Sequence, residues 1–223
     1  MNARTALATV LMCMATAAAL AQAPVPPAPA PAVNVPEVKL PASPRGSAAV
    51  QVGGKWTTVN GEQRYDGGGW LTVDYGRPLL RGRANIFGSG ADYGKVVSDG
   101  ESVWRAGAND TTRLTTQRTL LFGKTVLQPG VYNVFVELKE NAWTLVMSTQ
   151  PVQPKYDPND KVLLYGSYNY DPKFDVLRTP MRLSNSPTSV EQFTISFVDV
   201  TNTRASMVMS WERTVATIDF LIK

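Results

Sequence analysis

From about Ser47 onward, short segments rich in Val, Thr, Trp, Tyr and Phe alternate with Gly, Pro, Asn and Asp. This pattern is typical of β-strands joined by turns, and no long helical periodicity interrupts it. Strands at such short spacing favour an all-β, antiparallel β-sandwich of jelly-roll or immunoglobulin-like type over an α/β fold. The predicted strands cover residues 50–59, 70–75, 111–116, 131–138, 143–148, 193–200 and 205–211.

Two predicted hairpins have a defined inner face. In the first, alternate apolar residues should point inward, because successive side chains of a strand point to opposite faces. These residues are Tyr132, Val134, Val136 and Leu138 on one strand and Trp143, Leu145 and Met147 on the next.

The second hairpin pairs Phe193, Ile195 and Phe197 with Met207, Met209 and Trp211. A register slip of one residue would move every apolar side chain of a strand to the outer face. Only registers that keep both apolar sets on the inner face are therefore allowed. If Asp199 lies opposite Ala205, Glu191 lies opposite Arg213, which predicts an ion pair. The apolar parity then changes between residues 212 and 215 without a turn, which predicts a bulge where the chain passes between sheets.

The N-terminus predicts export. Residues 1–21 combine a basic start, a short apolar run and small residues at Ala19 and Ala21, as in a cleaved signal peptide. Residues 22–48 are rich in Pro and Ala and predict a disordered spacer, and residues 49–223 are expected to form one domain. We expect a periplasmic or secreted protein that does not span a membrane after cleavage.

Composition excludes several chemistries. The chain has no His, and its one Cys, Cys13, lies in the predicted signal peptide. The mature chain therefore lacks disulfides, thiol catalysis and Ser-His or Cys-His pairs. Its net charge of +3 after loss of Arg4 is too small to indicate a nucleic-acid partner. No cofactor or metal is predicted.

A group of arginines is the main candidate for chemistry. Arg77, Arg81 and Arg83 follow a predicted strand, and Arg105 adjoins Trp104. Arginine stacks on indole and forms a planar fork for carboxylate or phosphate. Three interpretations remain open: a site for an anionic ligand, ion pairs with Asp175, Glu191 or Glu212 that brace the sheets, and solvated arginines. The pair Asp175 and Arg178 allows the same alternatives.

Two polar segments carry weaker signals. Tyr165, Tyr168 and Tyr170 could stack on sugar rings, but they are more simply interpreted as strand residues. Residues 157–160, Asp-Pro-Asn-Asp, offer oxygen ligands but lack calcium-loop spacing, so they predict a turn.

Seven short motifs resemble, in order, those of the bacterial family called domain of unknown function 2911. They are Tyr75-Gly76-Arg77-Pro78, Arg81-Gly82-Arg83, Ile86-Phe87-Gly88, Trp104-Arg105-Ala106-Gly107-Ala108-Asn109, Asp175-Val176-Leu177-Arg178, Glu191-Gln192-Phe193-Thr194-Ile195 and Trp211-Glu212. The resemblance implies an exported, bacterial, mostly β domain, and it brings no activity with it.

The residues favour a non-catalytic binding or structural module of the envelope. Its partner would be an anionic small molecule, glycan or peptide, held by Arg77, Arg81, Arg83, Trp104, Arg105, Asn109, Arg178 and Glu191. The alternative is a carboxylate-dependent hydrolase acting on envelope or glycan material, which would use Glu191 with Asp175 or Glu212.

Overall fold

A computed structural model describes residue 39 and residues 41–223. The predicted signal peptide and most of the predicted spacer lie outside these residues. The described part is one compact unit of twelve strands and is nearly all β, as the sequence predicts. The strands are β1 Arg45–Val52, β2 Lys55–Val59, β3 Glu62–Asp66, β4 Gly69–Gly76, β5 Arg113–Thr116, β6 Leu120–Phe122, β7 Thr125–Leu127, β8 Gly130–Glu137, β9 Thr144–Ser148, β10 Asp175–Pro180, β11 Arg182–Val198 and β12 Arg204–Ile222.

Two antiparallel sheets form the predicted β-sandwich. One has six strands in the order β1-β4-β5-β8-β9-β10, and the other has four in the order β11-β12-β6-β7. Their inner faces share one hydrophobic core, to which both sheets contribute buried aliphatic and aromatic side chains. Burial of this apolar surface is the main force that holds the sheets together.

The β8–β9 hairpin has the predicted inner face. Val134 and Val136 on β8 and Leu145 and Met147 on β9 are fully buried in the shared core. The opposite face is buried too, since Phe135 and its neighbours form a second cluster under the loop that follows β9. The sequence did not predict that this loop covers the outer side of the sheet.

The β11–β12 hairpin has the predicted register only at its turn end. Ile195 pairs with Met209 and Phe197 with Met207, but the register then shifts between Thr194 and Val190. The shift coincides with Glu212, whose φ is +52°, so the predicted bulge is confirmed. β12 nevertheless pairs with β11 on both sides of the bulge, so the expectation that the chain changes sheets there is wrong.

The predicted Glu191–Arg213 ion pair is also wrong. The bulge moves the two side chains out of register, and Val190 instead pairs with Glu212. Glu191 Oε1 accepts a hydrogen bond from the Arg81 amide at 2.8 Å. Arg213 donates to the carbonyl oxygens of Ser186 and Pro187.

The strand predicted over residues 50–59 is wrong in its bounds. β1 begins at Arg45 and ends at Val52, and a Gly53–Gly54 break separates it from β2. β2 and β3 form a separate two-stranded hairpin. Its turn residues Asn60 and Gly61 both have positive φ, as a two-residue hairpin turn that matches strand twist requires.

Candidate functional site

The Trp104 to Asn109 segment forms a tight corner against the edge of the core. Trp104 is 1% exposed and makes an isolated antiparallel bridge with Val136 of β8. Its indole lies 6.3 Å from that of Trp211 and 5.0 Å from the Phe193 ring, and its Nε1 donates to Gly107 O at 3.1 Å. Trp104 therefore anchors the corner in the core and has no surface left for stacking on a ligand.

Arg105 faces an internal acid. One guanidinium nitrogen donates to Asp99 Oδ2 at 2.6 Å and another to Asn109 O at 3.0 Å. The guanidinium carbon lies 5.1 Å from the centre of the Tyr168 ring, and the side chain is 7% exposed. These contacts brace the corner and tie it to the loop that follows β9.

Three glycines let the backbones of this corner approach closely. A Cβ at Gly76 would lie 1.9 Å from Ala108 O, and one at Gly107 would lie 2.7 Å from Gly76 O. A Cβ at Gly166 would meet the Arg105 guanidinium at 2.5 Å. Any larger residue would force these segments apart, so the glycines of two recognised motifs have a packing role.

Asn109 connects the corner to the first strand. It adopts a φ of +63°, and its Nδ2 donates to Ser43 O at 3.2 Å. The next residue, Asp110, forms an ion pair with Arg45 at the start of β1. The corner thus ends at the mouth of an open cleft.

The cleft lies between the ends of β1, β4 and β5 and the loop that follows β9, with a volume of about 670 Å³. Its charged lining residues are Arg45, Asp74, Asp110, Arg113 and Lys155, and its aromatic side chains include Tyr156 and Tyr165. Arg113 and Lys155 form no ion pair or hydrogen bond with another side chain in the described part of the chain. Among the described residues, they are the two cleft cations without an acidic partner, and a ligand can engage them.

The outer wall of the cleft is held by a buried polar network. Gln150 is 3% exposed, and its Nε2 donates to Asn169 O at 2.7 Å while its Oε1 accepts from the Asp171 amide at 2.9 Å. Thr111 Oγ1 donates to Gly166 O at 2.9 Å. Buried polar groups with satisfied partners rigidify a loop, so the wall is positioned before any ligand arrives.

Tyr156 and Tyr165 lie on that wall. Tyr156 is 52% exposed, and its ring centre lies 4.7 Å from that of Tyr165. The tyrosines at 165, 168 and 170 lie in the loop between β9 and β10, so their interpretation as strand residues is wrong. The turn predicted at residues 157–160 is confirmed, because Asp157 Oδ1 accepts from the Asn159 amide at 2.9 Å.

The structure brings together only part of the predicted arginine group. Arg83, Trp104, Arg105 and Asn109 line a smaller cavity of about 260 Å³. Arg83 donates to the carbonyl oxygens of Leu79 and Leu80 and lies over the Trp211 ring at 5.9 Å.

The remaining members of that group lie elsewhere. Arg77 donates to Phe193 O and Thr194 Oγ1. Arg81 is exposed in a turn with a φ of +50°, so it does not share an extended face with Arg83. Glu191 and Glu212 accept hydrogen bonds from backbone amides of the loop after β4, at Arg81, Asn85 and Ile86.

Arg178 belongs to a separate charged cluster on β8 and β10. It pairs with Glu137 and with Asp175, the latter at 2.9 Å, and Tyr170 donates to Asp175 Oδ2 at 2.6 Å. A hydrogen bond from Lys139, helped by Arg178, lowers the pKa of Glu137. Burial and the hydrogen bond to Asp175 raise the pKa of Tyr170. The cluster is internally compensated and ties β10 to β8 across β9.

The described residues contain neither a metal-binding cluster nor a membrane-spanning helix. Within residues 41–223, no three acidic side chains come close enough together to hold a metal ion. No helix in the same range has the length and apolarity needed to cross a membrane.

These features define a class of protein: an antiparallel β-sandwich with a braced corner beside an open, polar cleft. The chain belongs to the family described as protein of unknown function (DUF2911), whose model matches residues 58–220. This match confirms the resemblance seen in the motifs, and the matched range includes the whole corner. Comparisons with curated proteins and with solved structures gave no match.

Sequence reasoning missed the cleft cations Arg45, Arg113 and Lys155. Arg45 and Arg113 have the outward parity of their strands, but exposed strand positions are commonly charged and carry no distinct signal. Only the strand order β1-β4-β5 shows that Arg45 and Arg113 converge.

Proposed function

We propose that this protein is a non-catalytic binding module of the bacterial envelope, whose cleft takes an anionic glycan. The observation that carries the proposal is the pair of cations, Arg113 and Lys155, which have no side-chain partner among the described residues and lie in a cleft that also has the exposed Tyr156. Cations engage carboxylate or sulfate groups, and amphipathic aromatic rings pack on the apolar faces of sugars. The signal-like residues 1–21 support export to the periplasm or the exterior.

The hydrolase alternative receives less support. It needs two carboxyl groups that face one open cleft, and one of them must stay protonated to act as the general acid. Glu191 and Glu212 both hold backbone amides of the loop after β4, whereas Asp175 is engaged by Tyr170 and Arg178. Each of the three acids therefore has at least one oxygen engaged within the fold, and Glu212 has both engaged, which favours a structural role for them.

The test is direct binding of uronic-acid oligosaccharides by titration calorimetry. A double variant, Arg113→Gln with Lys155→Gln, should bind about tenfold more weakly, since two partly exposed charge contacts contribute roughly 0.5–1 kcal/mol each. The matched control is Arg64→Gln with Lys124→Gln, which removes two exposed cations away from the cleft lining.

The control variant should bind like the wild type, and neutral oligosaccharides should bind weakly or not at all. Affinity should also fall as salt rises, because the contacts are exposed and electrostatic. Equal affinity for neutral and acidic oligosaccharides, or an unchanged double variant, would overturn the proposal.

A further inference from the structure

Next to the cleft, the outer face of β1, β4 and β5 is uncovered, and its side chains form three rows across the strands. The exposed or half-exposed residues in these rows, from the cleft outward, are Ser47, Asp74 and Arg113, then Ala49, Thr72 and Thr115, then Gln51, Trp70 and Gln117. Asp74 and Arg113 of the first row line the cleft, whereas no residue of the third row does.

Trp70 stands out in the third row. Its side chain is 46% exposed, whereas Leu71 and Val73, on the opposite face of β4, are fully buried. Gln51 Nε2 donates to Gly68 O at 3.4 Å, and Gln117 Oε1 accepts from the Trp70 amide at 2.8 Å. In the described part of the chain, the Gln51 amide oxygen and the Gln117 amino group have no hydrogen-bond partner.

The third row therefore presents a flat indole between one free acceptor and one free donor. An aromatic face flanked by amides can pack on a sugar ring while its hydroxyl groups are hydrogen bonded.

The middle row lies between the cleft and Trp70. Ala49, Thr72 and Thr115 are short, so the floor between the cleft and Trp70 has no bulky side chain to block it. With a rise of about 3.3 Å per residue, Trp70 lies about 13 Å along β4 from Asp74. A ligand that reached both ends would have to be an extended chain.

We propose that Trp70 forms a second subsite, and that the ligand is an acidic polysaccharide lying along the outer face of β1, β4 and β5 from the cleft to Trp70. This inference rests on the proposed function, since it extends the same site. The chemistry of the face supports this occupant over a protein surface. A packed protein partner would remove the charges of Asp74 and Arg113 from water, which is costly without matched partners.

The experiment compares galacturonic acid with its short and long oligomers as ligands for wild type, Trp70→Ala and Trp56→Ala. Trp56 is the matched control, because it is 69% exposed but lies on the β2–β3 hairpin outside the three rows. The wild type should bind the long oligomer more tightly than the short one. Trp70→Ala should lose about tenfold in affinity for the long oligomer, which corresponds to about 1.4 kcal/mol, and nothing for the monomer.

The outcomes separate the two proposals. If Trp70→Ala binds the long oligomer like wild type while the Arg113 and Lys155 double variant does not, the second subsite is overturned and the cleft stands. If Trp56→Ala weakens binding as much as Trp70→Ala, the location is wrong. If no acidic oligomer binds the wild type, both proposals fail. Unfolding curves of both Trp variants should show cooperative transitions of folded proteins, so that a loss of affinity reports on the surface and not on unfolding.

Discussion

Arg105 illustrates how a side chain suited to ligand binding can serve the fold instead. Its guanidinium is surrounded by Asp99, the Asn109 carbonyl and the Tyr168 ring, and it is almost fully buried. A buried cation needs this many partners, because an uncompensated charge in the interior is strongly unfavourable. The corner it stabilises carries Asp110 to the cleft, so Arg105 is a positioning residue.

Replacing Arg105 should lower stability more than replacing its acidic partner. Arg105→Met removes two hydrogen bonds from a charged, buried donor and should reduce the free energy of unfolding by about 1.5–3 kcal/mol. Asp99→Asn should cost less than Arg105→Met, because Asn keeps an acceptor for the guanidinium, but it should still be destabilising, since it removes the charge that compensates the buried Arg105. Urea unfolding measures both, and equal losses would show that Arg105 is not the centre of the brace.

Gly76 provides a second test of the corner. Gly76→Ala would place a methyl group against Ala108 O and should cost about 1–3 kcal/mol or more, as overpacking does. Gly130→Ala is the control, since its nearest foreign atom would lie at an ordinary 3.4 Å and its φ is not positive. The control should change stability by less than about 1 kcal/mol. Thermal unfolding of both variants gives the comparison.

Among the elements, β10 is held to its sheet by backbone pairing with β9 and by an additional ion pair with β8. Glu137 on β8 reaches Arg178 on β10 across the intervening β9. The folded-state pKa of Glu137 is lowered, first by the Lys139 hydrogen bond. The stability that ionised Glu137 gains from Lys139 first, and from Arg178 to a lesser extent, is therefore present above the ordinary value of 4.5 and is lost as pH falls through the lower, folded-state pKa.

The variant Glu137→Gln should show this pH dependence of stability. Relative to wild type it should be less stable at neutral pH, and the difference should shrink as pH falls below 4.5. Lys139→Gln removes the main cause of the lowered Glu137 pKa. In that background, the loss of stability caused by Glu137→Gln at neutral pH should be smaller than in the wild type. Unfolding free energies measured across the acid range would contradict the assignment if the wild-type advantage grew as pH fell.

The β11–β12 hairpin shows what limits prediction at the level of elements. Apolar parity alone correctly predicted the register near the turn and the change of face along β12. The ion pair between Glu191 and Arg213 required the register to continue past the bulge, and it does not. A bulge inserts extra residues into one strand and so changes which residues lie opposite each other beyond it. The alternation of apolar residues does not give the size of that register shift.

For the molecule as a whole, the sequence predicted the β-sandwich and the family, because strand periodicity and ordered motifs are local signals. The cleft depends on strand order, which places β4 between β1 and β5 and so brings Arg45 and Arg113 together from positions 68 residues apart. It also depends on the loop after β9 covering the second cluster around Phe135. Neither long-range arrangement leaves a pattern in one short window of sequence.

β12, the last strand of the described chain, lies inside the four-stranded sheet between β11 and β6, both of which precede it. It also supplies core residues such as Met207, Trp211 and Phe220. While the chain is being synthesised, β11 and β6 therefore have no common partner until residues 204–222 have been added. Closure of the domain must wait for its final segment, since a domain folds as a cooperative unit.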